Sequence, residues 1–109
     1  MVSPKKRLPR RVKRFPVSLK VKELNGQQVT DTYIVDISTL GAKVESSTPL
    51  APRNNVNIKV RLSENEQELH LSGQVRWLRP LVTAPGRFQM GVQFYGPKWE
   101  IERLMASRL

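Results

Sequence analysis

The chain contains no cysteine and a single histidine, His70. Without thiols there is no disulfide framework, no thiolate nucleophile and no cysteine-based metal site, and one imidazole cannot build a multi-histidine site. His70 lies between Leu69 and Leu71 in strand-like sequence and reads as a surface side chain. No apolar run approaches the roughly 18 residues needed to span a bilayer, and the basic start is not followed by the apolar stretch of a signal peptide. A cytoplasmic protein without a membrane span is expected. Aromatics are few: three Phe, two Trp and two Tyr, with Phe15, Phe88 and Phe94 on predicted core faces. Acidic residues are also scarce, and the first 22 positions contain none.

Those same 22 positions hold nine of the 19 Lys and Arg residues, whereas the rest of the chain has ten basic against nine acidic residues. The formal charge of +10 is therefore a local excess at the N-terminus. Such a block attracts polyanions, phosphates or an anionic surface. The other quantities are those of an ordinary soluble domain: 109 residues, 39% hydrophobic and 26% charged, which suits one core and is too short for two. Residues 1–9 are expected to form a flexible basic arm and residues 10–109 the folded domain.

From Phe15, apolar Phe15, Val17, Leu19 and Val21 alternate with Pro16, Ser18 and Lys20, the period of a strand with one buried face. Asn25-Gly26 predicts a two-residue hairpin turn and a second strand over about Val29 to Val35. A third strand is expected at Ala42 to Glu45, followed by a loop from Ser46 to Asn55 containing Pro49 and Pro52. Alternation returns in Val56 to Leu62, in Leu69, Leu71, Gly73, Val75 and Trp77, and in Phe88 to Phe94. Gly73 is read as the site of a bulge or bend. After Gly96-Pro97 the period changes to that of a helix over about 97–108, with Trp99, Ile101, Leu104 and Met105 forming its apolar side. Six antiparallel strands with one apolar face each are best buried as a closed barrel spanning about residues 15–95. The fold class is thus all-β with one C-terminal helix.

Two segments carry chemistry. "RRVKR" places Arg10 and Arg14 four residues apart, immediately before a core strand. Arginine's planar fork matches phosphate oxygens and the O6/N7 edge of guanine. "DISTLG" places Asp36 and Ser38 at alternate positions, with Gly41 closing the turn. A carboxylate is able to accept the N1 and N2 protons of guanine. Taken alone, Asp, Ser and Gly are equally ordinary turn residues.

Together these segments resemble the signature of the PilZ domains, bacterial receptors for cyclic di-GMP: an RxxxR segment before the first strand and a [D/N]xSxxG segment after the second. "GQVRW" at Gly73 to Trp77 and "MGVQF" at Met90 to Phe94 resemble the family's late strands, and the likeness covers roughly Arg10 to Tyr95. The resemblance implies a stand-alone six-stranded antiparallel barrel binding one or two molecules of cyclic di-GMP. It implies contacts from Arg10, Arg14, Asp36 and Ser38, with Gly41 keeping the turn. Further contacts from Arg11, Lys13, Trp77 and Arg79 are possible members of that set, although an alternating strand Trp is as readily core. It also implies no catalysis, no metal and no cofactor. The expected output is an arginine arm ordered by the ligand and read by an unidentified protein partner, in motility, pilus, exopolysaccharide or chemotaxis regulation. The alternatives are a nucleic-acid-binding barrel with a basic arm, a PilZ-like adaptor without nucleotide and, third, an enzyme.

Overall fold

The computed structural model describes residues 12–62 and 67–107. The expected arm over residues 1–9, Arg10 and Arg11 lie outside the described residues, as does Leu109. Strand β1 (Phe15–Leu24) buries Phe15, Leu19, Val21 and Leu24. Pro16 is accommodated next to the strand's first residue, where a missing N–H costs least. Asn25 and Gly26 then take positive φ of 52° and 83°, as a tight hairpin turn demands. The chain returns as β2 (Gln27–Gln28), pairing Leu24 with Gln27 and Glu23 with Gln28.

The single strand expected over Val29 to Val35 is broken in two. After β2 the chain leaves the sheet and re-enters it as β3 (Tyr33–Ile37). Polar anchoring explains the break. The Thr32 hydroxyl is buried and shares a 2.7 Å hydrogen bond with the buried Ser46 hydroxyl. The Asp31 carboxylate accepts a hydrogen bond from Ser47, and Arg87 donates to the Asp31 carbonyl at 2.7 Å. Three loops are thereby tied together at one end of the molecule.

Strands β4 (Gly41–Ser46), β5 (Asn55–Arg61), β6 (Glu68–Pro80) and β7 (Phe88–Phe94) follow. The sheet runs β2-β1-β3-β4-β7-β6-β5, and β5 pairs back onto β1 through Val21 with Val60 and Leu24 with Ile58. The result is a closed six-stranded antiparallel barrel with β2 as a two-residue extension, which leaves its main strands no free edge along the closed ring.

Closure is not compatible with unbroken alternation. The register shifts between Pro16 and Leu19 of β1, between Ile34 and Asp36 of β3, and between Val75 and Trp77 of β6. Such bulges bend a strand and reverse the facing of the residues beyond them. Ile34 and Ile37, three apart, both point inward, so Asp36 faces outward. In β6, Val75 is buried opposite Val92, but Trp77 pairs with Gly91 on the outer wall. The bulge expected at Gly73 therefore falls just beyond it. Gly73 serves another purpose: a Cβ there would stand 2.2 Å from the Gln93 carbonyl oxygen, so its hydrogen lets β6 and β7 approach.

Helix α1 (Glu100–Ala106) plugs the core with Ile101 and Met105, and Leu104 packs alongside. It starts later than expected, and Trp99 does not join its apolar side: the indole is 72% exposed. At about 100° per residue, Trp99 lies about 200° from Ile101, away from the face that Ile101, Leu104 and Met105 share. His70 is exposed, beside Glu68.

Gly73→Ala should cost about 1–3 kcal/mol, the range for overpacking a fitted interior, read as a lower urea midpoint with an unchanged slope. The loop clasp predicts a pH dependence. The Ser47 hydroxyl, followed by the Arg87 guanidinium, holds the Asp31 carboxyl below its usual range and outweighs the opposing loss of solvation. A depressed folded-state pKa gives stability that is complete above the unfolded value and lost as pH falls through the folded one. Asp31→Asn should therefore lower the melting temperature at neutral pH, and the gap from the parent should close below about pH 4.

Candidate functional site on the outer wall

The two outward-turned residues define a row across the barrel. Asp36 pairs with Lys43, Lys43 with Gly91, and Gly91 with Trp77. Paired residues share a face of the sheet, and neighbouring strands are about 4.8 Å apart, so four strands present these residues side by side. Gly91 is the low point of the row. A Cβ at this position would lie 2.2 Å from Trp77 Nε1 and 2.3 Å from its Cε2, so the indole lies down over the glycine. Arg79 stands over the indole, its guanidinium carbon 5.0 Å from the ring centroid, while donating to Gln89 Oε1 at 2.9 Å.

The segment before β1 forms a second wall. Arg14 Nη1 donates to Asp36 Oδ1 at 3.0 Å. This pair is largely open to solvent on the arginine side, with the Arg14 side chain 60% exposed and that of Asp36 22%. Lys13 points elsewhere, its Nζ 6.0 Å from the Phe15 ring centroid.

The turn from Ser38 to Gly41 makes the rim. Ser38 N–H donates to the Gly41 carbonyl at 2.9 Å, and the Ser38 hydroxyl accepts from the N–H groups of Leu40 at 3.1 Å and Gly41 at 3.3 Å. The buried hydroxyl is thus occupied in shaping the turn. Gly41 is required by close approach, not by unusual φ: a Cβ would sit 2.3 Å from the Val92 carbonyl oxygen. Two further bonds, Phe94 N–H to the Leu40 carbonyl and Lys98 N–H to the Thr39 carbonyl, fasten the turn to the end of β7 and the approach to α1.

These parts enclose an open cavity of about 340 Å³. Arg14, Lys43 and Arg76 are its charged lining residues, and the rim and floor come from Ser38, Gly41, Trp77 and Gly91. Asp36 sits behind Arg14, outside the lining. Of the residues singled out in the sequence, Arg14, Asp36, Ser38, Gly41 and Trp77 come together here, Arg79 touches through Trp77, and Lys13 does not. Sequence reasoning missed Lys43, Arg76 and Gly91. Lys43 had a usable signal, as a cation between buried Ala42 and Val44. Arg76 had none, because it sits in the bulge, where it donates to Gln93 Oε1 at 2.8 Å.

The family model for the PilZ domain matches residues 8–106. The chain belongs to the PilZ domain family. Both motifs that shape the cavity fall inside the match. Among solved structures, this PilZ domain is similar to the Bacillus subtilis inhibitor of motility (MotI/DgrA), with a TM-score of 0.69 at 16% identity. The likeness covers 97% of this chain but 55% of that one, so the chain spans about half the length of the neighbour. At that identity the likeness bears on the fold. No curated protein matches the chain.

The seat of Trp77 is testable without any ligand. In a Trp99→Phe background, where Trp77 is the remaining indole, Gly91→Ala should lift the ring off the wall. The expected signs are red-shifted emission and stronger acrylamide quenching, with the melting temperature changed far less than by Gly73→Ala, because a side chain and not a carbonyl must yield.

Proposed function

We propose that this PilZ domain is a non-enzymatic receptor for cyclic di-GMP, acting in the cytoplasm through a protein partner that reads the liganded surface. The observation carrying the proposal is the cavity's lining. Among the described residues Arg14, Lys43 and Arg76 supply its charge, without a carboxylate, over a floor that includes an indole. A cyclic dinucleotide offers the complement: two phosphates, and guanines with flat faces for stacking and edges rich in hydrogen-bonding groups.

Each residue then has a role. Arg14 exchanges its carboxylate partner for a phosphate or a guanine O6/N7 edge. Asp36, released, accepts the N1 and N2 protons of a guanine. Ser38 and Gly41 act by fixing the rim turn, Trp77 offers a stacking face, and Arg79 holds the indole. Arg10, one helical-turn spacing before Arg14 in sequence, contributes a second fork, while Arg11 and Lys13 add attraction. One or two ligand molecules use the same groups.

Among the described residues the lining includes no imidazole or carboxylate to move a proton in hydrolysis, and the Ser38 hydroxyl is engaged in its turn, which supports binding over catalysis. The ligand's bonds to the segment before β1 create a composite surface of protein and nucleotide. That surface is the output, and control of motility is one process it suits.

Isothermal titration with cyclic di-GMP tests the reading, with GTP as control. Saturable binding is expected, weakened roughly 10–100-fold by Arg14→Ala and by Asp36→Ala, the loss of about 1.5–3 kcal/mol for a charged hydrogen bond. The nucleotide should be recovered intact. No heat at high ligand concentration overturns the receptor reading, and a linear product overturns the non-enzymatic one.

A further inference from the structure

Two of the motif residues at the cavity neutralise one another, because Arg14 is committed to Asp36. The wall cations are not committed in this way. Among the described residues, the Lys43 ammonium has no ion pair or side-chain hydrogen bond, and Arg76 bonds only the neutral amide of Gln93. Other acids are engaged elsewhere. Glu45, two residues along the same face from Lys43, accepts from Gln89 Nε2 at 3.0 Å. Glu23, Asp31 and Glu68 pair with Lys59, Arg87 and Lys22. Lys43 and Arg76 also stand on strands of the closed ring, the more rigid support for a binding group, whereas Arg14 precedes β1.

We propose that Lys43 and Arg76 are phosphate-binding residues that capture the dinucleotide first, on the barrel wall, before Arg14 exchanges Asp36 for the ligand. The inference rests on the receptor reading and deepens it. Two unneutralised cations beside one concave surface raise the local concentration of a dianion and speed its encounter. The Arg14 exchange follows and governs how long the ligand stays. Charges at a rim set association rate and its salt dependence, whereas a committed hydrogen-bonded charge sets dissociation. Capture and retention are thereby divided between residues outside and inside the recognised motifs.

Stopped-flow mixing with cyclic di-GMP, following Trp77 emission in the Trp99→Phe background with titration calorimetry alongside, separates the two steps. Lys43→Gln with Arg76→Gln should slow association about tenfold at low salt and flatten its dependence on ionic strength. Arg14→Ala should mainly accelerate dissociation. Lys43→Arg with Arg76→Lys, which keeps both charges, should restore the parental association rate, and unchanged melting temperatures exclude a folding defect. Parental binding with an association rate unaltered in the glutamine variant overturns the inference alone. Absence of binding to the parent by both readouts overturns the receptor reading and the inference with it.

Discussion

Closing six short strands into a ring is the constraint on which the rest of the structure depends. Strand β1 has to serve two neighbours, β3 along its first part and β5 along its second, and a flat strand of strict alternation cannot do so. The register shifts in β1, β3 and β6 relieve this, since each bulge adds twist and a local bend. Gly41 and Gly73 add to the closure from either side of β7, where any larger residue would strike the carbonyls of Val92 and Gln93. The cost of closure is local loss of the two-residue period. The site is built from that loss: without the shift in β3, Asp36 would share the inward face of Ile34, and without the shift in β6, Trp77 would follow Val75 into the core.

The same geometry explains why an ionic site is tolerated on so small a barrel. The interior remains apolar, and its few polar side chains have partners of their own, Thr32 with Ser46 and Ser38 with the backbone of its turn; among the described residues no buried side-chain polar atom lacks a partner. All cavity charge lies outside the ring, in high dielectric, where three neighbouring cations cost little folding energy. The cavity surface therefore does not have to be desolvated for the barrel to fold, which suits the receptor role proposed above.

Much of the fold was legible from residue pattern. Alternation marked four of the six main strands, Asn25-Gly26 marked a turn that takes the positive φ both residues tolerate, and Ile101, Leu104 and Met105 marked a helix face. What was not legible has a common cause. Alternation reports the facing of a side chain only while the register holds, and a bulge leaves no reliable trace in sequence. Trp77 consequently reads as readily as core, Gly73 reads as the bulge that lies just beyond it, and nothing in the sequence distinguishes Arg76, the residue inside that bulge. The break at Thr30 to Thr32 was hidden for another reason: it depends on Ser46, Ser47 and Arg87, which are distant in sequence. In the site, Arg14 and Asp36 were legible because their residue types and spacing carry the chemistry. Lys43 showed only as a cation between apolar neighbours, and its importance comes from standing beside Asp36 and Gly91 on adjacent strands.

The Arg14–Asp36 contact finally bears on why a binding site can be kept closed upon itself and still be open to ligand. An exposed ion pair of this kind contributes about 0–1 kcal/mol, less than the roughly 1.5–3 kcal/mol of a charged hydrogen bond shielded from water. Arg14 is exposed enough to fall in the first class. On the receptor reading proposed above, a phosphate or guanine edge arriving over the Trp77 floor would exclude water and move the new bonds toward the second. The exchange is then downhill for a ligand that covers the cavity and close to neutral for a small anion that leaves it wet. On that reading, discrimination between the two needs no extra residue: it follows from pairing two motif groups weakly, on the outside of a barrel, at the edge of the cavity.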